Sequence, residues 1–174
     1  MGKGSVGIVA GYWPDDIYRY MAIPSIYLDE ALVTRPAKRF PDKVAVEFES
    51  VRLTYLQLAA EVDKAMKAIL SLTEGKNLRL ALALTNPLEL LPVFIGALRA
   101  HCMVQLPYVS ATSERLLQQV TDFGPDLVII DYKTSDKIPD WGQKIKTISI
   151  SELSQLKPGS AKVQKRLDMK GPCI

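Results

Sequence analysis

Leu78-Arg-Leu-Ala-Leu-Ala-Leu84, followed at once by Thr85-Asn-Pro-Leu-Glu89, decides the fold of this chain. The first run is apolar at nearly every position, and an apolar run without alternation marks a strand covered on both faces. Asn86 then offers a side-chain cap, Pro87 suits the first helical position because its missing N–H costs nothing there, and Glu89 puts a carboxylate in the first turn. A buried strand passing directly into a capped helix is the unit of a parallel α/β sheet. The helix is expected to reach about Arg99. Pro92 inside it should kink it, at roughly 3 kcal/mol if nothing compensates.

Downstream the same alternation continues. Cys102–Leu106 reads as a second strand, Thr112–Phe123 as a helix closed by Gly124-Pro125, and Leu127–Ile130 as a third strand with no polar residue. A loop from Asp131 to Gln143 leads to a fourth strand over Lys146–Ile150, and Ser151-Glu152 opens a last short helix. Strand, helix, strand, helix, strand predicts a Rossmann-like, right-handed, doubly wound parallel sheet flanked by helices.

Upstream, Val44–Phe48 and Val51–Thr54 flank Glu49-Ser50 as a small β-hairpin beside the sheet. Thr54 and Gln57 have capping-box spacing, and Leu58, Val62, Ala65, Met66 and Ile69 recur at helical period for about four turns until Gly75. Asp63 and Lys67 form an i,i+4 pair on the outer face. Residues 1–40 read as an aromatic arm with one helix, 41–157 as the α/β unit, and 158–174 as a polar, Lys-rich, flexible tail.

With 174 residues, 48% of them hydrophobic, the chain can bury a real core. Its net charge of +3 is spread without a basic stripe interleaved with aromatics, so no nucleic-acid partner is expected. Cys102 and Cys173 are too few to staple a domain, which suits a reducing, cytoplasmic setting. The most apolar stretch, Leu78–Leu98, is broken by Arg79, Asn86, Pro87, Glu89 and Pro92, so no transmembrane segment is expected.

Several patterns invite a chemical reading and lose to a plainer one. Gly2-Lys-Gly-Ser-Val-Gly7 matches GxGxxG, but a dinucleotide fingerprint needs a strand before the first glycine, and only Met1 precedes it. His101-Cys102 is the one adjacent His/Cys pair, yet neighbours on a strand point to opposite faces and no third orienting residue is evident. One histidine and two distant cysteines cannot assemble a tetrahedral metal site. Lys157-Pro-Gly-Ser-Ala-Lys162 lacks the glycine repeats of a phosphate loop and reads as a solvated turn. Asp122, Asp126 and Asp131 read as caps and surface charges.

Ala37-Lys-Arg-Phe-Pro-Asp-Lys-Val-Ala-Val46, then Leu53-Thr-Tyr-Leu-Gln-Leu58, Arg79–Glu89, Phe94–Ala100 and Leu116–Ile130 follow in the order and spacing of the opening of the adenylate-forming superfamily. The chain resembles the N-terminal part of an AMP-forming acyl-CoA synthetase. Trp13-Pro14 and Val104-Gln105 are most similar to medium- and long-chain fatty acid–CoA ligases. His101-Cys102 depart from that pattern, which usually has Gly-Ala or two small residues, and Pro107-Tyr108 stand where it has Asn-Pro.

The resemblance implies that the complete enzyme activates a carboxylate with ATP and Mg²⁺ to acyl-AMP, whose AMP coenzyme A then displaces. It places the Ser/Thr/Gly-rich phosphate loop shortly after residue 150, where this chain has none, and the adenine segment, hinge and catalytic lysine beyond Ile174. No catalytic, cofactor-binding or metal residue is therefore assigned, no cofactor is expected on this portion, and adenylation by the chain alone is not expected. Its expected partners are the rest of the enzyme or further copies in a homo-oligomer, with Trp13 and Tyr20 of the arm packed against another chain or folded back over the sheet edge. The alternatives are a free-standing α/β interaction or dimerisation module derived from such an enzyme, or a small nucleotide-binding α/β protein.

Overall fold

A computed structural model describes residues 27–73, 78–137 and 145–156. The first 26 residues of the arm, with the GxGxxG match, and the tail from Lys157, with its Lys-Pro-Gly-Ser segment, lie outside the described residues. Within them, β3 (Arg79–Ala83), β4 (Met103–Gln105), β5 (Leu127–Ile130) and β6 (Thr147–Ser149) form one parallel sheet in the order β4-β3-β5-β6. The expected doubly wound sheet is what forms, with Leu80 opposite Leu127 and Ala83 opposite Ile130 in the central pair.

The alternation of Leu and Ala in β3 sorts the two faces. Leu80, Leu82 and Leu84 join Leu127 and Ile129 in a core shared with Ile69, Val93, Ala97 and Leu153. These come from α2 (Tyr55–Thr73), α3 (Pro87–Arg99) and α6 (Ile150–Gln155). Ala81, Ala83, Val128 and Ile130 face the other way, onto Leu116 and Val120 of α4 (Ser113–Phe123). A third cluster joins Val33, Leu58, Val62 and Ile95 to Ala45 and Val46 of the hairpin β1 (Val44–Phe48) and β2 (Val51–Thr54).

Close packing of α2 on α3 depends on Gly96, since a Cβ there would stand 2.8 Å from the Met66 backbone nitrogen. Helix α3 runs through the buried Pro92 as one element. Ahead of α2, a π-helical turn, Glu30–Thr34, continues into α1 (Arg35–Arg39). Arg99 pins that segment: its Nε donates to Asp29 Oδ2 at 2.9 Å, its Nη2 to Thr34 Oγ1 at 2.8 Å, and its Nη1 to Asp63.

The structure corrects the sequence reading in five places. Helix α2 holds 19 residues, about a turn more than its periodicity suggested, and starts with the expected Thr54–Gln57 capping box. Asp63 turns to the cross-helix Arg99 rather than to Lys67. The first part of the expected 131–143 loop is a helix, α5 (Tyr132–Lys137), because Asp131 caps it. Its Oδ1 accepts from Thr134 N at 2.8 Å and its carbonyl from Ser135 N at 2.9 Å. Helix α6 begins at Ile150 with Ser149 as cap, not at Ser151, because Ser149 and Glu152 exchange hydrogen bonds as a full capping box. Finally, His101 lies in a turn with φ 58° rather than on a strand, a left-handed conformation at the position where the resemblance places glycine.

Candidate functional site

In an open parallel sheet the ligand-facing edge is the one at the carboxyl ends of the strands, at the point where successive crossovers leave in opposite directions. Here that point lies between β3 and β5, since β4 is reached on one side of β3 and β5 on the other. The residues just past these strands are Thr85-Asn86 and Asp131-Tyr132, with Gln105–Tyr108 at the end of neighbouring β4.

Asp131 is the centre of this edge. It is only 7% exposed, and both its carboxylate oxygens are engaged: Oδ2 accepts from Thr85 N at 2.5 Å and Thr85 Oγ1 at 2.6 Å, and Oδ1 accepts from Thr134 N. Burial alone would raise its pKa, but the hydrogen bonds from Thr85 and Thr134 outweigh it and hold the carboxyl below the usual aspartate value. Glu89, in the first turn of α3, shows the opposite balance. Burial and then the charge of Asp131 push it above the usual glutamate value.

The β4 end is built from amides. Gln105 Nε2 donates to Gln119 O at 3.0 Å, and Gln119 Oε1 accepts from Tyr108 N at 3.0 Å, so α4 fixes the loop after β4. Gln105 Oε1 is buried without a hydrogen-bond partner among the described residues. Tyr108 and Tyr132 stand out from the edge, 67% and 79% exposed.

What this arrangement can do follows from its charges. Asp131 holds three hydrogen bonds from Thr85 and Thr134, so its carboxylate locks β3 to α5 and to the end of β5. Three of the helices that start at this edge carry a carboxylate in their first turn, Glu89 in α3, Glu114 in α4 and Glu152 in α6. Those carboxylates already complement the helix dipoles, and Pro87 removes one of the N–H groups an anion would use, so these helix starts are poorly furnished to cradle a phosphate. Among the described residues no three His, Cys, Asp or Glu side chains stand close enough to hold a metal ion. These residues therefore do not fit ATP phosphates or Mg²⁺ by themselves.

The sequence candidates fall apart accordingly. Cys102 is buried, and burial pushes its thiol up, away from the thiolate a nucleophile needs. Asp126 Oδ2 accepts from Arg79 N at 2.8 Å, Asp122 is exposed on α4, and neither joins Asp131 in a catalytic pair. Asp131 itself is a cap, as expected, but a buried one. Sequence reasoning missed the Thr85–Asp131 lock; its one signal is that each residue is the first polar one after an apolar run, Leu80–Leu84 and Leu127–Ile130.

Comparison with known proteins agrees with this fold. The family model described as AMP-binding enzyme matches residues 33–170. The chain is 26% identical over 161 residues to the hybrid PKS-NRPS synthetase poxE of Penicillium oxalicum, covering 91% of this chain and 4% of that protein. Among solved structures, the O-succinylbenzoate coenzyme A synthetase MenE of Bacillus subtilis, in complex with ATP and magnesium, superposes with a TM-score of 0.65 at 17% identity. That match covers 74% of this chain and 34% of MenE. The N-terminal subdomain of Klebsiella oxytoca NpsA, in complex with 3-hydroxyanthranilyl-AMSN, gives 0.64 at 18% identity over 76% of this chain and 34% of its own. The chain thus spans about a third of these structures and a small part of the curated relative. It belongs to the AMP-binding enzyme family, and its fold is that of the N-terminal region of adenylate-forming enzymes.

Proposed function

We propose that this chain supplies the N-terminal scaffold of an ATP-dependent acid–thiol ligase acting on fatty acids, a cytoplasmic enzyme that forms an acyl-AMP and passes the acyl group to coenzyme A. The observation that carries the reading is the carboxylate-lined edge at the β3/β5 switch point of an AMP-binding family domain. It is shaped as a ligand-facing edge, yet it is poorly furnished to cradle a phosphate, so the groups that grip ATP and Mg²⁺ come from other parts of the enzyme. The coenzyme A step draws support from MenE, a coenzyme A synthetase of the same fold. The fatty acyl specificity rests on the Trp13-Pro14 and Val104-Gln105 resemblance alone.

On this reading the 174 residues do not adenylate by themselves. The test is pyrophosphate release from ATP and Mg²⁺ with fatty acids of increasing chain length, using the purified chain and then the chain joined to a phosphate-loop-bearing remainder. Release by the chain alone overturns the scaffold role. Release by the joined enzyme with aryl acids and none with fatty acids overturns the acyl specificity.

A further inference from the structure

A recess of about 390 Å³ lies between α2, α3 and α6, and none of the strand-end residues Thr85, Gln105, Tyr108 or Asp131 lines it. That size is at the lower end of the roughly 300–1,000 Å³ of small-ligand sites. On α2, Glu61, Lys64, Ala65 and Ala68 recur at the i, i+3, i+4, i+7 spacing of one helix face, and the two alanines leave room that larger side chains would fill. The floor, Ala65, Ala68, Pro92, Val93 and Leu153, carries no polar side-chain atom, and Pro92 lacks even a backbone N–H.

The polar groups stand at the mouth, and most are already engaged. Lys64 Nζ holds Glu61 Oε1 at 2.7 Å, and Ser154 Oγ donates to the Ser151 carbonyl at 2.7 Å. Lys67 differs from both. The carboxylate one turn before it, Asp63, is held by Arg99, and Lys67 makes no ion pair among the described residues. An apolar recess with one spare ammonium at its mouth is complementary to an apolar chain that ends in a single negative charge.

We propose that this recess binds a medium-chain carboxylate, with its chain on the alanine and proline floor and its head on Lys67. The length follows from the volume. At about the 30 Å³ that a water claims in the liquid, 390 Å³ holds roughly a dozen non-hydrogen atoms, the size of decanoate. The charge follows from the mouth, where a cationic head would meet Lys64 and Lys67 against the one carboxylate of Glu61, and a neutral head would gain nothing from the spare ammonium. The recess is separate from the β3/β5 edge, so the proposal holds whether or not the complete enzyme ligates fatty acids.

Decanoate titrated into the purified chain below its micelle concentration, and followed by amide NMR, should saturate with shifts at Ala68, Val93 and Leu153 rather than at Thr85 and Asp131. Decanol and decyltrimethylammonium separate the part of the head from that of the chain. An exposed ion pair is a modest attraction, so decanol should bind roughly two- to fivefold more weakly than decanoate, and the cationic amphiphile more weakly still. Lys67→Glu should reverse the order of the two charged ligands and weaken decanoate roughly fivefold or more. Because Lys67 is exposed, that variant should melt with the parent when no ligand is present. Decanoate binding that Lys67→Glu leaves unchanged, equal binding of the cationic amphiphile, shifts confined to the strand ends, or a titration that never saturates overturns the proposal.

Discussion

The two ends of the parallel sheet are held together differently. At the amino ends of the strands, Arg79 stacks on Phe123 at 4.5 Å, donates to the carbonyls of Phe123 and Gly124 at the end of α4, and offers its own N–H to Asp126. A cation on the last carbonyls of a helix is what the helix dipole favours, and Gly124, at φ 60°, closes that helix in the left-handed conformation. At the carboxyl ends, Asp131 is satisfied, but Glu89 is held in its less acidic state, Gln105 Oε1 has no partner among the described residues, and two tyrosines stand in solvent. Each end leaves a buried polar atom without a partner among the described residues, His101 Nε2 ahead of β4 and Gln105 Oε1 at its end, but only the carboxyl end adds a glutamate with a raised pKa and two exposed tyrosines. An end that is costly to stability and gains nothing locally is where a ligand or a further part of the enzyme is met.

The body of the sheet sets the scale for testing this contrast. Ile129 is fully buried on the sheet face covered by α2, α3 and α6, so Ile129→Ala should cost about 2–5 kcal/mol in urea unfolding. A loss under 1 kcal/mol would mean that this face is not covered, and the comparison of the ends would lose its frame.

Next in size is the one structural element of the carboxyl end. Asp131→Asn replaces an acceptor-only group by one whose NH₂ confronts the Thr85 or Thr134 donors, which should cost roughly 1–3 kcal/mol at pH 7. The pH dependence follows from the lowered pKa of Asp131. A carboxyl more acidic in the folded than in the unfolded chain stabilises above its unfolded value, near pH 4, and loses that contribution as pH falls through the folded one. The gap between parent and Asn variant should therefore narrow below pH 4. Glu89, with its pKa raised, opposes this: it favours the fold at low pH and loses that contribution as pH rises through its folded value. A gap independent of pH between 3 and 7 would show that Asp131 acts only by shape.

Arg79→Ala should cost about 1 kcal/mol, since the side chain is exposed and its hydrogen bonds are made in competition with water. Its effect should be on α4, read as faster amide exchange in the last turn before Gly124. A loss as large as that at Ile129 would mean that the amino end is a core element.

The sheet was legible because its signal is local: Leu78–Leu84, the Asn86 cap and the Gly124-Pro125 stop each declare themselves within a few residues. The carboxyl end was less legible because its contacts cross the sequence. Thr85 and Asp131 are 46 residues apart, and only the β3–β5 pairing brings them together. The same holds for Arg99, whose partners at Asp29 and Asp63 come from two other elements and displaced the expected Asp63–Lys67 pair. Helix α5 failed for another reason. Its six residues, Tyr132 to Lys137, carry no apolar stripe, so its only declaration is a cap from Asp131 that also serves as the lock. Ile150 reads as the end of a strand over Lys146–Ile150 but opens the helix, because Ser149 is at once the last residue of β6 and the cap of α6.

The smallest expected effect bears most directly on function. Tyr108 and Tyr132 project from the carboxyl end with most of their surface in water, so they bury little apolar area in this chain. Tyr108→Ser and Tyr132→Ser should each change stability by less than about 0.5 kcal/mol, as exposed substitutions away from caps and cores do. Exposed aromatics that contribute nothing to the fold are what an end reserved for another surface would carry, because an aromatic ring gains its energy when a partner covers it. On the proposed scaffold role, the same two changes should lower the activity of the chain joined to a phosphate-loop-bearing remainder, while melting of the isolated chain stays put. A destabilisation above 1 kcal/mol in the isolated chain would show that the tyrosines already pack within it. The carboxyl end would then be as closed on itself as the Arg79–Phe123 corner of the amino end, and the difference between them would cease to point to a site.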